Sequence, residues 1–245
     1  MAKTTITFIG SGRVAGALAE SLYRVGYPIA AVISRNVETA QELASRVGAV
    51  ATESYEIPRE TGLLIIAVPD DAIAEVAEKV RAAKETVIVH TSGSTDIKIF
   101  DLLPQPCGVI YPLQTFTSGR SINMGEIHFF TESADSATLD FIDEIVGALS
   151  SNVHHLDSEK RSVLHLSAVF VSNFVNHMLY AGMSTAGREG IDRSVFTPLV
   201  METVMKALDI GPGEAQTGPA VRNDKRTIAK HIELLSFSDD LMNLY

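Results

Sequence analysis

A glycine-rich turn directly after the first apolar run constrains this chain more than any other feature. Residues 4–9 read as a strand, and residues 10–16 follow as GSGRVAG. Gly10 permits a tight turn, Gly12 lets a phosphate approach the backbone, and Ala15 lets the next helix pack closely on the sheet. Because a helix N-terminus presents free N–H groups, the pattern predicts a dinucleotide phosphate site, although glycine-rich turns also occur as purely structural features. The predicted phosphate-binding residues are Gly10, Ser11, Gly12, Arg13 and Val14.

Short β-branched runs alternate with amphipathic stretches as far as residue 155. The predicted strands are 4–9, 29–33, 63–68, 86–89, 109–111, 127–131 and 153–155, and the predicted helices are 14–25, 37–47, 70–81 and 134–149. This alternation is typical of βαβ units, so we expect an α/β fold with a Rossmann-type, doubly wound, mostly parallel sheet. Residues 1–155 are the predicted nucleotide-binding domain.

No strand-like alternation follows residue 157. Ser158 is placed to cap a helix that continues to Gly187 or Gly190, and further helices are expected over 194–209 and 223–235. Residues 156–245 are therefore the predicted second domain, all-α in structure.

The first helix of this second domain contains 21 residues, 163–183, without a charge, which is long enough to span a bilayer. Its polar side chains, among them His165, Ser172 and Asn173, would need partners in lipid. We therefore expect a central helix that is buried in its own domain or against a second subunit. A homodimer formed through the helical half is the resulting prediction.

Composition narrows the range of partners. Lys and Arg number 20 and Asp and Glu number 30, so the net charge of −10 would repel nucleic acids and anionic membranes. The one cysteine, Cys107, excludes an internal disulfide and is expected to be a buried structural thiol. The histidines form no metal-binding motif and no signal peptide is recognisable, so we expect no metal and a cytoplasmic location.

The end of the second strand indicates which dinucleotide would bind. An NAD site carries an acidic residue there for the ribose 2′-hydroxyl. Here Ser34, Arg35 and Asn36 precede the first carboxylate, Glu38. The two neutral side chains can donate hydrogen bonds and Arg35 can bind a 2′-phosphate, so the sequence favours NADP(H). The alternative is that Arg35 is a solvated residue at a helix start.

Two further turns follow predicted parallel strands, at the edge where ligands of open α/β sheets bind. The predicted cofactor contacts in these turns are Ala67, Val68, Pro69, Thr91, Ser92 and Gly93. Ser92 is also a candidate for substrate contact or catalysis, with a turn serine as the alternative. Asp70 is expected to cap the helix that follows it.

These motifs resemble those of a bacterial family described as NADP oxidoreductases. The matching segments are 10–16, Ser34-Arg35, AVPD at 67–70, HTSG at 90–93, PLQTF at 112–116, His165 with Ser172-Asn173, and GPA at 218–220 with Arg222 and Asp224. The resemblance covers nearly the whole chain and implies a Rossmann-like half, a helical half and the cofactor NADP(H). More distantly, the chain looks like pyrroline-5-carboxylate reductases, deazaflavin-dependent NADP reductases and β-hydroxyacid dehydrogenases. Those relatives imply a small-molecule substrate in an interdomain cleft and a helical dimerisation domain.

The chain departs from these relatives at the proton donor. β-Hydroxyacid dehydrogenases carry Lys-x-x-x-Asn on the first helix after the Rossmann half, with the lysine as donor. If Asn173, a candidate catalytic residue, is that asparagine, the lysine position is Val169, which cannot donate a proton. His165 is the best substitute: on a regular helix Ser172 lies within about 20° of it, and histidine can be a general acid near neutral pH. A core histidine is the alternative.

Arg222 is the remaining candidate, because a guanidinium can clamp a substrate carboxylate. It can equally hold a helix end or a subunit interface. Together these features predict an NADP(H)-dependent oxidoreductase that transfers hydride to or from a small carbonyl or imine. The alternative is a non-catalytic NADP-binding regulator or scaffold, which the missing lysine favours.

Overall fold

An eight-stranded, mostly parallel sheet organises the first part of the chain. The structure, a computed structural model, describes residues 3–117, 119–120 and 122–245. The strands are β1 (Thr5–Ile9), β2 (Ile29–Ile33), β3 (Val50–Thr52), β4 (Thr61–Ile66), β5 (Val87–His90), β6 (Cys107–Pro112), β7 (Phe129–Ser133) and β8 (Val153–His155). Their order is β3-β2-β1-β4-β5-β6-β7-β8, and every neighbouring pair is parallel except β6 and β7. The predicted Rossmann-type sheet is confirmed.

Helices cover both faces of this sheet. α1 (Arg13–Arg24), α2 (Val37–Val47) and α4 (Ser136–Gly147) share one hydrophobic core, and α3 (Ile73–Lys79) belongs to the other. Alternate residues of β4 divide between the two: Leu63 and Ile65 lie in the first core, Leu64 and Ile66 in the second. Each such side chain contributes about 1.5–3 kcal/mol by leaving water. Burial on both faces is the reason why β4 is apolar throughout.

The order of the strands creates a crevice. The chain passes from β1 to β2 and β3, then returns to β4 on the other side of β1. At such a reversal the connections leave the carboxyl ends of adjacent strands in opposite directions, and open α/β sheets bind ligands in the gap. The turns after β1, β2, β4, β5 and β6 all lie along this carboxyl edge.

Two elements differ from the predictions. β3 lies at the sheet edge and has only three residues, with Val50 exposed, so no apolar alternation marks it in the sequence. The helix predicted over 70–81 is shorter, because residues 70–72 form a 3₁₀ turn after Pro69 and the α-helix covers only Ile73–Lys79.

Helical structure is continuous over Ser158–Arg188, as α5 (Ser158–Ala168), a π-helical turn (Val169–Phe174) and α6 (Val175–Arg188). Asp157 caps it by accepting the backbone N–H of Lys160 at 2.8 Å. The predicted cap at Ser158 is therefore wrong, because the Ser158 hydroxyl instead lies 2.9 Å from Oε2 of Glu132.

By length and composition this helix is the one stretch among the described residues that is able to cross a membrane. None of the described residues 162–188 is buried. The expectation that the helix is buried within its own domain is therefore wrong, and a second subunit remains the alternative.

The chain divides into two compact units, Met1–Val169 and Phe170–Tyr245. The first contains the sheet and α5, and the second contains α6, α7 (Thr197–Ile210), α8 (Pro212–Ala215), α9 (Lys225–Leu234) and α10 (Asp239–Leu244). This division falls after α5, where Arg161 of α5 is paired with Glu132 of β7, and the domain boundary near residue 155 stays a prediction. α8 and α10 are too short for periodicity to predict them.

Candidate cofactor and active site

The turn from β1 into α1 requires glycine for two reasons. Gly10 has a φ of +112°, and a Cβ atom there would lie 2.2 Å from the carbonyl oxygen of Ala67. Conformation and contact with the end of β4 therefore both exclude a side chain. At Gly12 a Cβ would instead face open space, which leaves room for a ligand directly over the backbone. Ala15 is fully buried in the first core, as close helix–sheet packing demands.

The N-terminus of α1 is open to an anion. Gly12 is the N-cap residue, and no side chain of the described residues caps it. The N–H groups of the first turn therefore lack acceptors within the helix, and the first helical residue is the basic Arg13. A pyrophosphate accepts from such groups and is favoured by the helix dipole, so this turn fits the phosphates of a dinucleotide.

Arg35 lines a cavity of about 200 Å³ that begins at this turn. Tyr55 and Glu75 line the same cavity, as do the predicted contacts Val68 and Pro69 after β4. The Glu75 carboxylate is paired with Lys79, and that hydrogen bond lowers the pKa of Glu75. Because the Glu75 carboxylate is paired with Lys79, the exposed guanidinium of Arg35 is the cationic group of this cavity that can attract a phosphate.

Ser34 and Asn36 hold the turn after β2. The Ser34 oxygen accepts from Ser11 Oγ at 3.0 Å and from the N–H of Asn36 at 3.2 Å. Asn36 caps α2 by accepting the N–H of Thr39 at 3.1 Å. The Ser34 hydroxyl hydrogen and the Asn36 amide NH₂ group are still able to donate. Both residues can therefore form the hydrogen bonds to NADP(H) that the sequence predicts.

The turn after β5 is held by Ser92. Its oxygen accepts the N–H groups of Ser94 at 3.1 Å and Thr95 at 2.9 Å, and the side chain is buried. This geometry supports the turn-serine alternative over catalysis. Asp70 does not cap its helix as expected, because its carboxylate accepts the Ser94 hydroxyl at 2.6 Å. That bond ties the turn after β4 to the turn after β5.

A tyrosine and a histidine meet at the same edge of the sheet. The Tyr111 hydroxyl, near the carboxyl end of β6, lies 3.0 Å from Nδ1 of His165 in α5, and the two rings pack edge to face. Gly93 lies against the pair, since a Cβ there would be 2.6 Å from His165 Nδ1 and 2.8 Å from Tyr111 Cζ. Burial and the Asp70 carboxylate raise the pKa of Tyr111, so the phenol stays protonated at neutral pH.

Arg161 anchors α5 to the sheet one turn before His165. Its guanidinium is fully buried and bonds both the Glu132 carboxylate in β7 and the Thr95 carbonyl after β5. The N–H of Ser158 adds a bond of 2.9 Å to Glu132. Because one helical turn advances only about 5.4 Å, these contacts also determine where His165 lies.

His90, the last residue of β5, is a buried neutral histidine. Desolvation, followed by the positive charge of Arg161, lowers its pKa to about 3. Its Nδ1 accepts the N–H of Ser92 at 3.2 Å, so the ring hydrogen lies on Nε2, which has no partner among the described residues. His90 therefore stabilises the turn and is unsuited to proton donation at neutral pH.

Asn173 and Arg222 lie in the second unit with exposed side chains. Asn173 belongs to the π-helical turn, where the regular step of about 100° per residue fails, so the predicted alignment of Ser172 with His165 loses its basis. Arg222 precedes Asp224, which caps α9 by accepting the N–H of Thr227 at 3.0 Å. The roles of Asn173 and Arg222 stay predictions.

Cys107 behaves as an unreactive thiol. It is half-buried, and its Sγ donates to the Gln105 carbonyl at 3.3 Å. Burial raises its pKa to about 11, so little thiolate exists at neutral pH. Within the part of the chain that the structure describes, no cluster of three or more His, Cys, Asp or Glu side chains is arranged to hold a metal.

Three residues of the site are absent from the sequence-based predictions: Tyr111, Glu132 and Arg161. The sequence could have pointed to Tyr111, because a tyrosine near the carboxyl end of a buried strand reaches the ligand-binding edge of the sheet. No sequence pattern predicts the buried Arg161, since an arginine near the start of a helix is ordinarily solvated.

Two family models match parts of the chain. Residues 5–93 match one described as "NADP oxidoreductase coenzyme F420-dependent", and residues 127–245 match "Domain of unknown function (DUF2520)". Among curated proteins, a methionyl-tRNA formyltransferase of Syntrophus aciditrophicus is 31% identical over 150 residues. That match spans 59% of this chain and 46% of the formyltransferase, so the chain spans less than half of that relative.

Solved structures match over the full length. A reductive aminase from Aspergillus terreus, in complex with NADPH and ethyl-5-oxohexanoate, has a TM-score of 0.72 at 16% identity, covering 98% of this chain and 90% of the aminase, which shows a common fold. A "putative NADP oxidoreductase" from Bacteroides fragilis has a TM-score of 0.92 at 37% identity, with 99% of this chain and 95% of that chain covered. On that match and on the family model over residues 5–93, the chain belongs to this family of NADP oxidoreductases, whose cofactor is NADP(H).

Proposed function

We propose that this protein is an NADP(H)-dependent enzyme that transfers hydride to or from a small carbonyl or imine at the carboxyl edge of its sheet. One observation carries the proposal: the same edge holds the uncapped N-terminus of α1 and the hydrogen-bonded pair of Tyr111 and His165. The first feature binds phosphates, and the second places an imidazole where a proton is needed.

The chain offers a binding element for each part of the cofactor. The first-turn N–H groups of α1 hold the pyrophosphate, and Arg35 with Ser34 and Asn36 holds the 2′-phosphate. The turns 67–69 and 91–93 lie along the same edge and hold the nicotinamide end. When bound, NADPH supplies the hydride, and the protein contributes orientation and a proton.

His165 is the proton donor in this proposal. If Asn173 corresponds to the asparagine of the related dehydrogenases, the lysine position is Val169, which has no proton to give. The phenol of Tyr111 has a raised pKa, and His90 has a pKa of about 3 and is neutral, so neither releases a proton readily at neutral pH. His165 is half-buried at the ligand edge, and an imidazole ring is able both to give and to take up a proton.

The second unit supports an assembly with a second copy. None of the described residues 162–245 is buried, although this segment carries large apolar side chains. Among the most exposed are Val171, Tyr180 and Leu208. Apolar surface of this extent marks an interface, so we include a homodimer in the proposal. A cytoplasmic location, without nucleic-acid or membrane partners, stays a prediction.

Hydride turnover tests the proposal directly. NADPH absorbance is followed with a panel of keto acids, aldehydes and cyclic imines. We expect oxidation with at least one substrate, weakened by Gly12→Ala, which places a methyl group over the phosphate turn. Gly147→Ala is the matched control, because its Cβ also meets open space, away from the turn. Tight NADPH binding without turnover across the panel would favour the non-catalytic alternative, and absence of NADPH binding would contradict both.

A further inference from the structure

We propose that Tyr111 is the positioning residue for the proton donor His165. The Tyr111 hydroxyl is hydrogen-bonded to Nδ1 of His165, so Nε2 is the atom that delivers the proton. The identity of the reaction rests on the proposed function. The assignment of the atom rests on the geometry of Tyr111, His165 and Gly93 alone.

The hydrogen bond selects one nitrogen of the ring. The distance of 3.0 Å between the Tyr111 oxygen and His165 Nδ1 is within hydrogen-bond range. Tyr111 is 8% exposed, and among the described residues His165 is the partner that its hydroxyl finds. A buried phenol donates its hydrogen bond to the available acceptor, which here is Nδ1 of the neutral His165 ring. The hydrogen of the neutral ring therefore lies on Nε2.

Contacts on two sides keep the pair together. Position 93 has no room for a side chain, because a Cβ at Gly93 would come within 3 Å of both rings, at 2.6 Å from His165 Nδ1 and 2.8 Å from Tyr111 Cζ. On the helix, Arg161 is bound to Glu132 and to the Thr95 carbonyl one turn before His165. The imidazole is thus held by the sheet on one side and by its own helix on the other.

The arrangement suits both protonation states of the imidazole. In the imidazolium, Nδ1–H donates to the Tyr111 oxygen, and in the neutral ring the Tyr111 hydroxyl donates to Nδ1. During reduction the Nε2–H bond of the imidazolium breaks and an O–H or N–H bond forms on the substrate. The imidazole becomes neutral, Tyr111 keeps its own proton, and water restores the imidazolium afterwards.

The tautomer of His165 is the decisive measurement, and it requires no substrate. In ¹⁵N-histidine-labelled protein, with the His165 signals assigned by comparison with His165→Asn, we expect the neutral ring to carry its hydrogen on Nε2. In Tyr111→Phe we expect a mixture of tautomers. Tyr27→Phe removes another buried phenol and is expected to change nothing. An unchanged tautomer in Tyr111→Phe would overturn the proposal.

Gly93→Ala provides a second variant, in case the loss of the hydroxyl alone is compensated. Its methyl group is expected to separate the rings and to give the same mixture of tautomers.

Once a substrate is found, Tyr111→Phe is expected to lower kcat by about tenfold or more, part of what a general acid contributes, while KM changes little. An unchanged kcat and pH profile would overturn the positioning role. A single Nε2–H tautomer without turnover on any substrate would instead refute the proposed reaction and leave the hydrogen bond established.

Discussion

Arg161 of α5 and Glu132 of β7 form an ion pair inside the first unit, with the Arg161 side chain 1% exposed and the Glu132 side chain 15% exposed. Tyr111 in the neighbouring strand β6 is paired with Phe130, two residues from Glu132. The helix that carries His165 is therefore fastened to β7, the neighbour of the strand that carries its hydrogen-bond partner Tyr111. Loss of the ion pair should affect stability and site geometry together.

Arg161→Met is expected to reduce the unfolding free energy by about 3–5 kcal/mol, because it leaves the Glu132 carboxylate buried without its counter-ion. Urea unfolding at fixed protein concentration measures the change. Arg161→Met combined with Glu132→Leu should recover much of the loss. Arg46→Met removes an exposed pair, Arg46–Glu20, and should cost at most about 1 kcal/mol. Equal losses for the buried and the exposed pair would contradict this expectation.

Arg35 should determine the preference for NADPH over NADH. Arg35→Asp removes the phosphate partner and is expected to weaken NADPH binding by about 1.5–3 kcal/mol, or roughly 10- to 150-fold. NADH lacks the 2′-phosphate, so its affinity should fall much less. Titration calorimetry measures both affinities, with Arg59→Asp as the control at an exposed arginine outside the cavity. Equal affinity of the wild type for the two cofactors would refute the assignment.

His165→Ala should separate binding from chemistry. We expect NADPH affinity to stay within about threefold while turnover falls about 100-fold, the lower end for loss of a general acid. His155→Ala is a suitable control, because the exposed His155 bonds Asp143 of α4 and makes no contact with Tyr111. Full turnover in His165→Ala would remove this residue from the mechanism.

His90 should make stability depend on pH. Its pKa is about 3 in the folded protein and 6.5 in an unperturbed chain. Between these values the unfolded state binds a proton that the folded state does not, so the unfolding free energy falls as the pH falls below 6.5. The slope contributed by this group reaches about 1.4 kcal/mol per pH unit.

Urea unfolding between pH 7 and about 5 measures that slope. The carboxylates with lowered pKa, such as Asp157, lose their contribution only below their ordinary value of 3.8 and do not interfere. His90→Asn keeps an acceptor for the Ser92 N–H and should flatten the dependence. A slope equal to that of the wild type would show that His90 is not its source.

The second unit should be stable only in an assembly. Light scattering at micromolar concentration is expected to give twice the chain mass of 26.4 kDa. Phe174→Glu places a charge on the exposed apolar face of the long helix and should shift the mass towards the monomer. Leu102→Glu, at a residue that is 95% exposed in the first unit, is the control. A wild-type monomer would reject the homodimer.

The sequence by itself determined the glycine-rich turn after β1 and the class of the sheet. Gly10 and Gly12 act through backbone conformation and local space, and both requirements are met within a few residues of chain. The strands were predictable because burial on both faces demands continuous apolar runs, as in β4. The position of Arg35 beside this turn was predictable because it follows β2 closely along the chain, and its contact with a phosphate stays a prediction.

Tertiary structure alone decided the pairings at the site. Tyr111 and His165 are 54 residues apart, and Glu132 and Arg161 are 29 apart, so no local spacing connects them. Their contacts depend on the order of β5, β6 and β7 in the sheet and on the seating of α5 against that edge. Local pattern specifies the backbone of each element, but hydrogen bonds between elements form only after packing has brought distant side chains together.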